Sequence, residues 1–135
     1  MAFTSDRQVE WGDCDAAGIV FYPNYFKWMD GTFHALLATA GTAQGSLPGR
    51  IDATPLVDAG AAFRAPAAFG QVLLVTAKIT RIGMSGFSLG YVFHRGDTLV
   101  AEGHEHRVCV RRDGDGIAKA PVPDRLRGML ERYLA

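Results

Sequence analysis

Two carboxylates stand just ahead of what reads as a helix start: Trp11-Gly12-Asp13-Cys14-Asp15-Ala16-Ala17-Gly18 leads into Tyr22 and Pro23. Proline is favoured at the first helical position, where its missing N–H removes no bond. A helix N-terminus exposes unpaired N–H groups and carries partial positive charge. Backbone N–H groups near Tyr22 could therefore polarise a carbonyl oxygen and hold an oxyanion. A nearby carboxylate could attack that carbonyl or activate water against it. One short segment thus offers both halves of an acyl-transfer site. The competing reading is that Asp13 or Asp15 caps a turn or the helix, as aspartate commonly does. Residue physics taken alone leans to capping.

Other candidates are weaker. Cys14 lies between two aspartates, whose charge disfavours thiolate, so it reads as a bystander. Cys109 falls in a strand pattern and is expected to be buried. His104 and His106 share one face of a strand, but a third metal ligand is not evident, and no metal site is expected. Asp30 sits seven residues after Pro23, nearly two helical turns, and so on the same side as the helix N-terminus. A carboxylate on a largely buried helix needs a partner, and His34 stands four residues on.

These groups need elements to position them. Phe3–Trp11 is a strand candidate with Val9 and Trp11 alternating with charged residues. From Pro23 to Ala40, Phe26, Met29, Phe33, Leu36 and Leu37 recur at helical spacing, and Gly41 offers a stop. Tyr25 and Trp28 lie off that stripe, which predicts a helix buried on more than one side. Residues 41–53 read as a loop. Four strand candidates follow at roughly Thr54–Arg64, Gln71–Ile82, Phe87–His94 and Leu99–Arg111, with Gly96-Asp97 as a hairpin turn. A short amphipathic helix after Pro121–Pro123 carries Leu126, Met129, Leu130 and Tyr133. A run of strands beside one long helix predicts an α+β class, with an antiparallel sheet packed on that helix.

The 135 residues suit one domain, 1–135, with enough chain for a core. Fourteen basic residues balance fourteen acidic ones, so there is no electrostatic case for nucleic acid or an anionic membrane. No apolar run approaches the roughly 20 residues of a membrane span. Two cysteines make no disulfide framework. A cytoplasmic protein with reduced thiols is the expectation.

The stretch D-C-D-x-A-G-I-V-x-Y-P-N-Y, here Asp13 to Tyr25, resembles the active-site motif of the 4-hydroxybenzoyl-CoA thioesterase family of hot-dog proteins. Weaker similarity runs through Phe63-Arg64-Ala65-Pro66, Arg81 to Phe87 and Val100 to Gly103. The resemblance reverses the weighting at the acid loop. It implies Asp15 as the catalytic acid and the Tyr22 backbone N–H as the carbonyl-polarising group. It also implies a five-stranded antiparallel sheet around the helix, and dimers or tetramers with sites at the dimer interface. The implied reaction is hydrolysis of an acyl-CoA such as 4-hydroxybenzoyl-CoA, without cofactor. Short aliphatic or other aryl acyl chains are the alternative substrates. A non-catalytic acyl-binding role is the second function class, and a hot-dog dehydratase or hydratase, which would need a histidine paired with an acid, ranks last. Asp30 would contact the acyl end, in a pocket walled by residues such as Phe26, Trp28 and Phe33. The family's basic residues after the third strand are replaced here by Gly83-Met84-Ser85-Gly86. Lys119 lies near another position where the family can place a basic residue toward coenzyme A.

Overall fold

The computed structural model describes residues 1–39 and 51–135. Strand β1 (Phe3–Gln8) precedes helix α1 (Pro23–Thr39). Strands β2 (Leu56–Phe63), β3 (Val72–Ile82), β4 (Gly86–Arg95) and β5 (Thr98–Val108) follow. The chain continues with β6 (Val110–Asp113), β7 (Gly116–Lys119) and α2 (Asp124–Glu131). The five strands β1 to β5 form one antiparallel sheet in the order β1-β3-β4-β5-β2. The two edges are therefore β1 and β2. The expected helix end at Ala40 and most of the expected loop lie outside the described residues.

Period-two alternation builds the core face of the sheet. Leu73, Val75, Ala77 and Ile79 on β3, with Phe87, Leu89, Tyr91 and Phe93 on β4, are all buried. Helix α1 lies against this face and buries Tyr25, Trp28, Met29, Phe33, Leu36 and Leu37, more than one stripe, as the off-stripe aromatics foretold. It comes closest to β5 at a glycine. A Cβ on Gly103 would stand 2.6 Å from the Met29 sulfur. The Gly96-Asp97 hairpin turn joins β4 to β5, with Gly96 at φ 58°.

Two elements differ from expectation. The first strand stops at Gln8 instead of Trp11: Val9 is buried, but Trp11 opens a 3-10 turn and is exposed. The cause is local, because the Glu10 N–H donates to Asp13 Oδ2 at 2.8 Å and turns the chain. The last long strand breaks at Cys109, whose N–H donates to the Ser85 carbonyl at 2.7 Å. Beyond the break, β6 and β7 form a separate hairpin. Helix α2 buries Leu126, Met129 and Leu130, while Tyr133 lies past its end and meets Phe3 edge-on at 6.2 Å.

Under the helix sits a buried polar network. Tyr91 donates to Glu105 Oε1 at 2.6 Å. Arg107 donates to both Glu105 oxygens, at 3.1 and 3.2 Å, and to the Thr54 carbonyl at 3.1 Å. Its guanidinium lies 4.3 Å from the Phe33 ring centroid. Burial raises the Tyr91 pKa, with the Glu105 charge and hydrogen bond adding to it. Burial also pushes the Cys109 thiol up to about 11, against a smaller opposing pull from Arg127. Both groups are neutral when protonated, and both folded values exceed the unfolded ones of 9.0 and 10.0. Their contribution is complete below the unfolded values and is lost as pH rises through the folded ones. The urea midpoint should hold steady from neutrality to about pH 8.5, then fall beyond about pH 9 as the unfolded thiolate forms. A Cys109→Ala variant should delay that fall to higher pH.

Candidate active site

The acid loop folds back on itself between β1 and α1. The Asp15 N–H donates to the Ile19 carbonyl at 3.0 Å, and the Gly18 N–H to the Asp15 carbonyl at 2.9 Å. Gly18 has φ 80°, a conformation that favours glycine, so this tight reversal depends on it. Three bonds fasten the loop. Phe21 N–H and Asn24 Nδ2 donate to the Asp13 carbonyl at 2.8 and 2.9 Å, and the Val20 N–H donates to the Ala67 carbonyl at 2.9 Å.

Each aspartate accepts a local backbone N–H at one oxygen, and each lines a different cavity. Asp13 gives its Oδ2 to the Glu10 N–H, the capping role that residue physics favoured. Asp15 gives Oδ1 to the Ala17 N–H at 2.9 Å. Its Oδ2 makes no hydrogen bond to a described residue, so the carboxylate is held at one oxygen and open at the other. Asp15 lines a cavity of about 460 Å³ together with Ile19, Val20, Tyr22, Tyr25 and Phe63. The wall opposite is Arg64 to Ala67. This segment is pinned by the Arg64 and Ala65 N–H groups on the Val100 carbonyl and by Arg95, which donates to the Pro66 carbonyl.

Tyr22 immediately precedes α1, and its carbonyl accepts from the Tyr25 N–H at 3.1 Å. Its own N–H donates to no described residue. Tyr22 and Asp15 thus line one cavity at the N-terminus of α1. Three aromatic rings converge there. Phe63 lies 6.3 Å from Tyr22 and 5.3 Å from Tyr25, centroid to centroid.

Asp30 and Lys119 are not brought to this cavity. Asp30 lines a separate one of about 760 Å³ between α1 and β1. Its Oδ1 accepts from Arg107 Nη2 at 2.8 Å and stands 3.6 Å from His34 Nε2. Lys119 is exposed at the end of β7. Phe26, Trp28 and Phe33 do not line the Asp15 cavity, whose aromatic side chains are Tyr22, Tyr25 and Phe63. Trp28 lines the second cavity, and Phe33 is sealed in the core under Arg107. Seven residues place Asp30 on the right side of the helix, but also about 10 Å along its axis.

The remaining candidates are explained locally. Cys14 Sγ lies 3.7 Å from the Glu10 carbonyl, and Cys109 is buried. His104 pairs with Asp58 at 3.0 Å and His106 with Ser88 at 2.8 Å. Among the described residues no three potential ligands converge on a metal position. None of the described helices is long and apolar enough to cross a membrane.

Comparison with known proteins places this geometry in a family. Residues 9–130 match the model of the Thioesterase-like superfamily. The chain is 31% identical over 130 residues to the 4-hydroxybenzoyl-CoA thioesterase of Pseudomonas sp. (strain CBS-3), covering 90% of this chain and 92% of that protein. It is also 31% identical, over 124 residues, to the 1,4-dihydroxy-2-naphthoyl-CoA hydrolase of Synechocystis sp., covering 90% and 88%. The solved structure of a gentisyl-coenzyme A thioesterase superposes with a TM-score of 0.83 at 34% identity, over 94% of this chain and 98% of the other. With its five-stranded sheet, long central helix and Asp15 loop, this chain belongs to the hot-dog thioesterases, the family of thioester hydrolases that includes 4-hydroxybenzoyl-CoA thioesterase.

Proposed function

We propose that the protein hydrolyses an aromatic acyl-CoA thioester, with 4-hydroxybenzoyl-CoA as the leading substrate, to the free acid and coenzyme A. The observation that carries this reading is the Asp15 carboxylate, anchored at one oxygen and free at the other, on an aromatic-walled cavity at the N-terminus of α1. The Tyr22 N–H receives the thioester carbonyl oxygen and holds the negative charge that grows on it. Asp15 Oδ2 then attacks the carbonyl carbon and coenzyme A leaves as the thiolate. Water hydrolyses the resulting mixed anhydride to the acid and the Asp15 carboxylate, and the proton it releases is taken up by the thiolate. In the other route Asp15 takes a proton from water, whose oxygen attacks the same carbon and expels coenzyme A directly. The aromatic relatives support a flat acyl group, and three rings suit one. A panel of aryl and short aliphatic CoA esters, followed by free thiol release, tests the reading. Faster turnover of short aliphatic than of any aryl ester would reject the aromatic assignment.

Lys119 enters the proposal as a cation for the coenzyme A phosphates, a role its exposure permits. The paired, half-exposed Asp30 is assigned to holding α1 on the sheet through Arg107 instead of to the acyl end.

The active form is proposed to be a homodimer or a tetramer of such dimers. Edge strand β2 leaves Leu56, Val57 and Phe63 exposed, and an apolar unpaired edge invites a second copy. Phe63 also lines the Asp15 cavity, so that pairing would enclose the site. Sedimentation should give a dimer or larger species at assay concentration. A fully active monomer would overturn this assembly.

A further inference from the structure

The Asp15 cavity contains a polar group that neither hydrolytic route uses. Tyr25 lies in the first turn of α1 and is only 4% exposed. Three rings fix its own ring: Trp28 at 5.5 Å, Phe63 at 5.3 Å and Phe93 at 5.2 Å. Two of the three contacts are near perpendicular, a favourable arrangement for aromatic pairs. A buried tyrosine hydroxyl ordinarily finds a partner, as Tyr91 does with Glu105 at 2.6 Å. The Tyr25 hydroxyl makes no hydrogen bond to any described residue. It is not sealed off either: among the described residues, Arg7 Nε is the sole buried side-chain nitrogen or oxygen without a partner. Tyr25 lines the Asp15 cavity, and its unpaired hydroxyl keeps some accessible surface.

The other polar side chains at this cavity are already engaged or wet. Arg64 is paired with Glu102 at 3.2 Å. Asp15 is reserved for the scissile carbonyl, and Tyr22 is 59% exposed, so water serves its hydroxyl. Burial raises the Tyr25 pKa, Arg95 opposing and Cys14 adding, so the phenol stays protonated and remains a donor at neutral pH. We propose that Tyr25 is a specificity-determining residue whose hydroxyl hydrogen-bonds an oxygen substituent on the acyl group. The inference rests on the thioesterase reading of this cavity and deepens it. A ring-fixed hydroxyl penalises acyl groups that displace its water and leave it unpaired. Acyl groups bearing a hydroxyl or keto oxygen are thereby selected over plain rings of the same size.

The test compares wild type with Tyr25→Phe, which removes one oxygen and keeps the ring packing. kcat/KM is measured for benzoyl-CoA and for its 2-, 3- and 4-hydroxy derivatives. Wild type should favour at least one hydroxylated isomer by about three- to ten-fold, the range of one neutral hydrogen bond. Tyr25→Phe should bring that ratio close to one, mainly by slowing the hydroxylated ester, with the melting temperature nearly unchanged. Phe63→Ala should slow all four esters and leave the ratio in place. Identical ratios in wild type and Tyr25→Phe, or no hydroxyl preference in wild type, overturn the inference. Calorimetric binding of benzoate and the three hydroxybenzoates separates this failure from failure of the thioesterase reading. Without thiol release from any ester, a hydroxyl preference in binding that Tyr25→Phe abolishes still supports the inference. Equal affinities in both proteins overturn it.

Discussion

Asp15→Asn is expected to lower kcat on the best aryl-CoA ester by at least roughly 10²- to 10⁴-fold, the usual worth of a positioned acid or base. The loss should be larger if the carboxylate is the nucleophile, because an amide oxygen neither forms the anhydride nor accepts the proton. KM should move by only a few-fold, since the missing interaction belongs to the transition state. The fold should be spared. Asparagine retains the Oδ1 that accepts from the Ala17 N–H, and the reversal at Gly18 rests on backbone bonds. Asp13→Asn is the informative control. Asp13 holds the turn through the Glu10 N–H, so its loss should act on stability before turnover. Steady-state kinetics with circular dichroism on both variants decides the matter. Near-wild-type turnover by Asp15→Asn would reject the mechanism for either route. If the nucleophilic route holds and water opens the anhydride at the Asp15 carbonyl carbon, a single turnover in ¹⁸O-labelled water should leave the label in Asp15 and not in the first equivalent of acid.

The elements that follow a simple period were legible in the chain. Strand β4 and the middle of β3 alternate large apolar residues with polar or small ones, and α1 opens on a proline and carries apolar residues on more than one stripe. The acid loop was legible only through its resemblance, because capping and catalytic aspartates are the same residue type. The structure distinguishes the two by the cavity each lines: Asp13 lines the one between α1 and β1, and Asp15 the aromatic-walled one at Tyr22 and Tyr25. Phe26, Trp28 and Phe33 miss the Asp15 cavity for a geometric reason. They share a helix with Tyr22's successor Pro23, but the cavity is closed by β2 and the segment after it. Phe63 comes to Tyr25 across nearly forty residues of sequence, a pairing that no local spacing encodes. The break at Cys109 was hidden because that residue is buried and continues an apolar pattern, while β6 and β7 are too short to show a period. Glu105 and Arg107 were the least legible. In the run His104-Glu105-His106-Arg107 every residue is polar, which reads as a solvated strand, yet the odd positions face the core. Strand parity from buried Ala101 was the available signal, and polarity outweighed it.

That inward-facing pair carries the largest expected effect on stability. Arg107 and Glu105 have side chains only 4% and 1% exposed, and Arg107 alone joins Glu105, Asp30 on α1 and the Thr54 carbonyl. Arg107→Met should fill much of the same volume over Phe33 while stranding the Glu105 charge. Removing one partner of a buried ion pair costs about 3–5 kcal/mol, which for a domain of this size is roughly 10–20 °C in Tm. The effect should depend on pH in a way that lost packing would not. With its cation gone, Glu105 is buried beside the Tyr91 hydroxyl alone, and desolvation lifts its pKa above the unfolded value of about 4.3. A carboxyl whose folded pKa is raised adds stability below its unfolded value and loses it as pH rises through the folded one. The deficit of Arg107→Met against wild type should therefore shrink between about pH 7 and pH 5. Adding Glu105→Gln should recover part of the loss at pH 7, because the stranded group is then neutral. Asp30→Ala should cost less, since Asp30 is half exposed and Arg107 keeps Glu105. It should also leave the ratio of 4-hydroxybenzoyl-CoA to benzoyl-CoA turnover unchanged, whereas a direct contact of Asp30 with the acyl end would shift that ratio. Denaturant melts of the variants at the two pH values test the chain of argument. A deficit independent of pH and untouched by Glu105→Gln would show that Arg107 acts by packing, and that the buried charge pair does not hold the helix to the sheet.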